Sequence, residues 1–291
     1  MSNKSLRYFF YVTSSSTTMK LRLCHSLVQW VMLFGFLAYA SCSSPRYAIT
    51  KAYKQLSPAH KQLADTLLLT ALDHEALYTL ADTLKPMSSI KMYKLPLLST
   101  NPIQKDSAYH IVNQLQHIAN TLSVAGYQFV VQPFNRGDSI YKYVELCVIR
   151  KTKMQYLIEQ QQTFYQSLGI ASKAKPETVL AITEYEQKYN RWRSYGYLFG
   201  YPSYAVDFFV QAGKSQDSTK QFVTRDFFAI PVYAAPTGHF TYAIPKGYVT
   251  TSVDSALYNK AIITLHTYTK LRKKYTTNGN IKAITILKKL N

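Results

Sequence analysis

The stretch that decides the fold class runs from Tyr127-Gln128-Phe129-Val130-Val131 through Asn135-Arg136-Gly137-Asp138 to Tyr141-Lys142-Tyr143-Val144-Glu145-Leu146-Cys147-Val148-Ile149. Two runs rich in β-branched and aromatic residues flank a cluster with turn chemistry, which predicts a β-hairpin. Before it, Ile111, Leu115, Ile118 and Leu122 recur at helical spacing, and Gly126 stops them. After it, Met154, Leu157, Ile158, Tyr165 and Leu168 predict another helix, ended by Gly169. Helices and strands mix without regular strand–helix–strand alternation, so the chain reads as α+β.

The same reading extends outward. Ser57-Pro58 opens a helix, because Ser can accept from first-turn amides and Pro fits the first helical position. Leu63, Leu67 and Ala71 continue it; Asp73 is expected to cap an extension through Ala76, Leu77 and Leu80 that Pro86 ends. Residues 90–98 are strand-like but broken by Pro96. Pro176-Glu177 starts a helix with Ile182, Tyr185, Tyr189 and Trp192 on one face. Gly200-Tyr201-Pro202 breaks it, residues 205–210 form a short helix, and 213–219 read as a polar loop. Residues 227–233 and 240–244 predict a second hairpin around Pro236-Thr237-Gly238. Val253, Leu257, Ala261, Leu265 and Tyr268 mark a C-terminal helix. The expectation is a single α+β domain over 57–278, several helices packed on a small, mostly antiparallel sheet. A tether (42–56) precedes it and a basic tail (279–291) follows, in which Ile281, Ile284 and Leu287 dock weakly at most.

The chain has 291 residues, 47% of them hydrophobic, enough to bury a core and to exclude a wholly disordered chain. Three cysteines exclude a disulfide-rich scaffold. Residues 1–41 read as a secretory signal peptide: Met19-Lys20-Leu21-Arg22 is a short positive region, and Leu27 to Ala40 is apolar, interrupted by Gln29. The segment before Met19 adds nothing a signal needs, so Met19 is the expected translation start. The ending Leu37-Ala38-Tyr39-Ala40-Ser41-Cys42 resembles the lipobox of bacterial lipoproteins, with Tyr39 where that family usually has Leu. The resemblance implies acylation of Cys42; ordinary signal cleavage and an uncleaved anchor are the alternatives. Relaxed lipoboxes of this kind resemble those of Bacteroidota lipoproteins. Ser43 after the cysteine, with no acidic cluster, implies the periplasmic face of the outer membrane, or a soluble periplasmic protein if Cys42 is not acylated.

Export changes what the charge means. Without Lys4, Arg7, Lys20 and Arg22, 30 of the 34 basic residues face 15 acidic ones, a balance of +15. A cytosolic chain this basic would suggest nucleic acid. For an exported chain the fitting partners are the membrane through its lipid anchor and an anionic envelope component, not nucleic acid. Solvated basic faces account for most of the charge. Cys147 would be the only free thiol of the exported part and reads as a small buried residue.

Asp73-His74-Glu75 is the most enzyme-like triplet, although successive helical residues diverge and cannot converge on one metal. His110 and His117 are two turns apart, too far for one ion. The catalytic candidates are His74, Asp73, Glu75, Asp207 and His239, the last at an expected hairpin tip. Lys85, Tyr201 and Arg225 are the binding candidates. Tyr is abundant, and its rings can stack on sugars, although half-buried structural Tyr is the commoner use. No cofactor and no metal site is read from these residues.

Leu84-Lys85-Pro86 and the run from Gly196 to Phe209, with Gly200-Tyr201-Pro202 and Val206-Asp207, stand in an order that resembles an uncharacterised clostridial protein family. That family's pattern is a Lys-Pro motif, then Gly-x-x-x-Gly-Tyr-Pro and an Asp-Val helix; here Asp follows Val. The resemblance covers roughly 70–210 and implies fold kinship without an activity. The functional expectation is an envelope lipoprotein with a binding or scaffolding role, with an envelope hydrolase acting on peptidoglycan or a glycan as the alternative.

Overall fold

Three antiparallel strands, β1 (Met87–Leu95), β2 (Tyr127–Gly137) and β3 (Lys142–Arg150), form a sheet in the order β1-β3-β2. The computed structural model describes residues 45–81, 84–124, 126–277 and 280–290, apart from the side chains of residues 45, 237–239 and 280. The expected signal peptide and Cys42 lie outside the described residues.

The expected β2–β3 hairpin is present, with Val130 opposite Cys147 and Gln132 opposite Glu145. The Asp138 carboxylate accepts from the amides of Ile140 and Tyr141 at 2.8 and 2.6 Å, which sets the turn. β3 is buried from Val144 to Ile149 because both sheet faces are covered. Leu146 and Val148 face one layer, built by α1 (Pro45–Tyr53), α2 (Pro58–Asp73), α3 (Leu77–Leu80) and α4 (Pro102–Leu122). Cys147 and Ile149 face the other, built by α5 (Lys151–Gln160), α6 (Gln162–Ser167), α7 (Pro176–Tyr185), α8 (Lys188–Leu198) and α9 (Ser203–Thr219). The period-two alternation of a strand sends one apolar set to each layer.

A second antiparallel pair, β4 (Arg225–Val232) and β5 (Ala235–Pro245), joins the first layer through Ile230, Val232 and Phe240. α10 (Ser252–Lys274) lies along β4 and starts with a capping box made by Thr251 and Asp254. A minimal hairpin, β6 (Thr276–Thr277) with β7 (Asn280–Ile281), leads to α11 (Ala283–Lys289). The described chain is thus the expected single α+β domain, its helices packed on two small antiparallel sheets.

Several boundaries differ from expectation. The helix read from Met154 to Gly169 is two, α5 and α6, parted at Gln161, and the one read from Pro176 to Gly200 is also two, α7 and α8, parted at Glu186-Gln187. The 45–56 part of the tether belongs to the core: Pro45–Tyr53 is helical, residues 54–56 turn out of it, and Ile49 and Leu56 are buried. The basic tail is likewise a docked helix, α11, with Ala283, Ile286, Leu287 and Leu290 buried against α1 and α2. The 213–219 loop is the last part of α9, which Lys220 closes at φ 60°. The second hairpin turns at Tyr233-Ala234 instead of Pro236-Thr237-Gly238, with the Ala234 amide donating to the Asp73 carbonyl at 2.9 Å. His239 is therefore on β5, away from a tip, and its side chain lies outside the described residues.

Candidate aromatic cleft

The two motifs singled out in the sequence meet in space. Gly200 adopts φ +79°, and its backbone lies against Leu84-Lys85-Pro86: an added β-carbon would stand 3.0 Å from the Leu84 carbonyl oxygen and 3.3 Å from Lys85 Cα. α8 ends there, with the Tyr201 amide donating back to the Gly196 carbonyl at 3.0 Å, so a left-handed glycine is the natural terminator. Pro202 then leads straight into α9.

Beneath this junction Lys85 is fully buried and ion-paired with Glu75. Its Nζ lies 4.3 Å from the Phe240 ring centroid and 5.4 Å from that of Phe199. Burial lowers its pKa, and the Glu75 carboxylate opposes that. Tyr201 stacks on Phe240 with ring centroids 5.7 Å apart. Burial raises the Tyr201 phenol pKa, and the Glu75 charge adds to this.

Above the junction opens a cleft of about 310 Å³ between α8, α9 and the β4–β5 hairpin. Trp192, Tyr195, Phe199, Tyr201, Phe209, Phe227 and Tyr242 form its walls. Two glycines permit the close approach of α8 and α9: a β-carbon at Gly196 would meet Val206 at 2.8 Å, and one at Gly213 would meet the Trp192 ring at 2.4 Å. The Trp192 and Phe209 rings lie 5.2 Å apart. The Tyr195 hydroxyl donates to Glu184 at 2.6 Å, and the Tyr242 hydroxyl to Asp254 at 2.6 Å, so both phenols are held by carboxylates. Burial, then the Glu184 hydrogen bond, keeps Tyr195 neutral well past the usual phenol range. The walls thus offer ring faces more than free donors, which suits an apolar or flat-faced ligand.

The catalytic candidates do not share this cleft. Asp73 is the last residue of α2, where it was expected to cap a helix start; its carboxylate instead accepts from Arg272 at 2.7 and 2.8 Å and from the Tyr268 hydroxyl. Glu75 pairs with Lys85, and Asp207, more than half exposed, pairs with Arg193. His74 follows α2 in extended conformation. Of the binding candidates, Tyr201 lines the cleft and Lys85 lies behind it. Arg225 stands at its rim: the guanidinium is 5.7 Å from the centroid of Phe209, a wall residue. The sequence reading passed over Trp192, Phe209 and Phe227 as site residues. Trp192 was read only as part of the apolar face of the helix begun at Pro176, and only the fold shows that its ring turns toward α9.

Cys147 is buried and unpaired with another cysteine, and burial followed by the nearby Glu145 charge pushes its thiol pKa well up. Among the described residues no cluster of three or more His, Cys, Asp or Glu could hold a metal, and no helix is long and apolar enough to cross a membrane. No family model, curated protein or solved structure matches the chain, so neither resemblance gains support from a match.

Proposed function

We propose that this is a ligand-binding protein of the bacterial envelope, anchored through Cys42 at the periplasmic face of the outer membrane, whose ligand sits in the aromatic cleft. The observation that carries the binding role is the cleft itself: about 310 Å³, walled by Trp192, Tyr195, Phe199, Tyr201, Phe209 and Phe227. That volume falls at the small end of ligand sites and suits one or two rings. Ring faces recognise flat apolar surfaces, either an aromatic ring or the C–H face of a sugar. The location rests on the lipobox-like Leu37-Ala38-Tyr39-Ala40-Ser41-Cys42.

Calorimetric titration with indole-3-acetamide, a neutral two-ring probe, tests the cleft. The expected result is saturable binding that Phe209→Ala weakens at least about tenfold, as loss of an aromatic stacking partner does. No heat up to millimolar probe, or binding untouched by Phe209→Ala and Trp192→Ala, rejects it. Metabolic palmitate labelling tests the anchor, which is abandoned if labelling persists in Cys42→Ala.

A further inference from the structure

We infer that the cleft selects ring-bearing carboxylates and that Arg225 grips the acid group; this rests on the cleft being the ligand site. Arg225 begins β4, two residues before Phe227, so both side chains leave the strand on the same face. Phe227 lines the cleft and is 62% exposed. The Arg225 guanidinium lies 4.7 Å from the Phe222 ring centroid and 5.7 Å from that of Phe209. Its Nε donates to the Val223 carbonyl at 3.1 Å. That bond and the two aromatic contacts fix the group in place. Among the described residues no carboxylate pairs with it, and no acceptor meets its two terminal NH2 groups.

An end-on guanidinium fork with both NH2 groups open matches the two oxygens of one carboxylate. The ordering entropy of the arginine is already spent, so little is lost on binding. The neighbouring acid, Asp226, is turned away to Lys246 and the Gly247 amide at 2.8 and 2.9 Å. A ligand with its ring against Trp192 and Phe209 therefore meets a preset cation at the rim, with the adjacent Asp226 engaged by Lys246 and Gly247. The excess of basic over acidic residues, 30 to 15 from Cys42 onward, favours approach of such an anion.

The test compares indole-3-acetate with indole-3-acetamide by calorimetry, on the full chain and on Arg225→Gln, Arg225→Lys and Lys246→Gln. Lys246 is the control, a cation of the same hairpin committed to Asp226. The expected result is that the acid binds at least about tenfold more tightly than the amide, as a charge-assisted hydrogen-bonded pair gives. Arg225→Gln should bring the two ligands level, Arg225→Lys should retain part of the preference, and Lys246→Gln should leave it intact. Equal binding of both ligands by the parent overturns the carboxylate inference and leaves the cleft reading standing. So does a preference that survives Arg225→Gln, or one that Lys246→Gln removes equally, since that would be general charge attraction. Binding of neither ligand overturns the cleft reading itself, and this inference with it. If Arg225→Gln fails to fold, Arg225→Lys decides: an unchanged acid preference rejects the fork.

Discussion

Asp73 and Arg272, 199 positions apart, join the end of α2 to the last turn of α10 through two hydrogen bonds of 2.7 and 2.8 Å. A carboxylate at a helix C-terminus opposes the helix dipole, so Asp73 is a poor choice for α2 considered alone. Its compensation is tertiary: the Arg272 fork and the Tyr268 hydroxyl both converge on it. The most enzyme-like triplet in the sequence thus begins with a structural clamp.

Replacing Asp73 with Ala should accordingly destabilise the fold by about 1–3 kcal/mol, below the full cost of breaking a buried pair because both partners keep some solvent contact. Urea unfolding measures it, and Arg272→Ala in the Asp73→Ala background should add little. Additive losses would show that the two side chains act independently.

Gly200→Ala should cost more than Gly169→Ala. Both glycines have positive φ, 79° and 75°, and a left-handed conformation costs a non-glycine residue about 1–2 kcal/mol. A β-carbon at Gly169 meets nothing, whereas at Gly200 it presses on the Leu84 carbonyl and Lys85 backbone. Thermal unfolding of the two variants should separate by at least a few degrees, and equal losses would mean that the Lys85 junction yields at no cost.

Lys85 and Glu75 should respond unequally. Glu75→Gln strands a lysine with no solvent exposure, whereas Lys85→Met leaves a carboxylate whose side chain is 16% exposed. The expected loss for Glu75→Gln approaches about 3–5 kcal/mol, with Lys85→Met clearly milder. The double variant should match Lys85→Met. A double variant as unstable as the sum of the singles would rule out coupling across the pair.

Glu145 supplies a pH signature. It faces the second layer, on the same side of β3 as Cys147, whose thiol donates to it at 3.3 Å. Burial holds its carboxyl pKa above the ordinary 4.5, with the Ser89 and Cys147 hydrogen bonds opposing. The folded state therefore binds this proton more tightly than the unfolded chain. The associated stability is full below the unfolded value and is lost as pH rises through the folded one. Glu145→Gln, which stays neutral, should match the parent near pH 4 and become more stable than it as pH rises. Chemical denaturation across pH 4–8 checks this, and a constant difference would place the Glu145 carboxyl in the ordinary range.

Much of the fold was legible locally. The β2–β3 hairpin, α4 and the glycine terminator of α8 follow from period-two runs, helical spacing and a left-handed stop. α1 and α11 were missed because Ile49 and Leu56, or Ile286 and Leu287, sit in segments too short and too basic to stand out from tether and tail. The loop reading of 213–219 failed for a related reason: Gly213 looks like a breaker, yet it is there to seat the Trp192 ring. The cleft was legible only in fragments. Tyr201 and Arg225 drew attention as single residues, but an aromatic side chain that will line a cleft has the same spacing as one that will fill a core.

The sequence by itself determined the α+β class, the order of most elements, and the two motifs that meet at Gly200 and Lys85. Tertiary structure decided that both faces of β3 are covered, that Asp73 belongs to Arg272 and Glu75 to Lys85, and that α8, α9 and the β4–β5 hairpin leave an aromatic gap between them. The division is physical. Periodicity along a chain reports which side of its own element is apolar, while ion pairs and clefts depend on where distant elements come to rest, and that is set by packing the whole core at once.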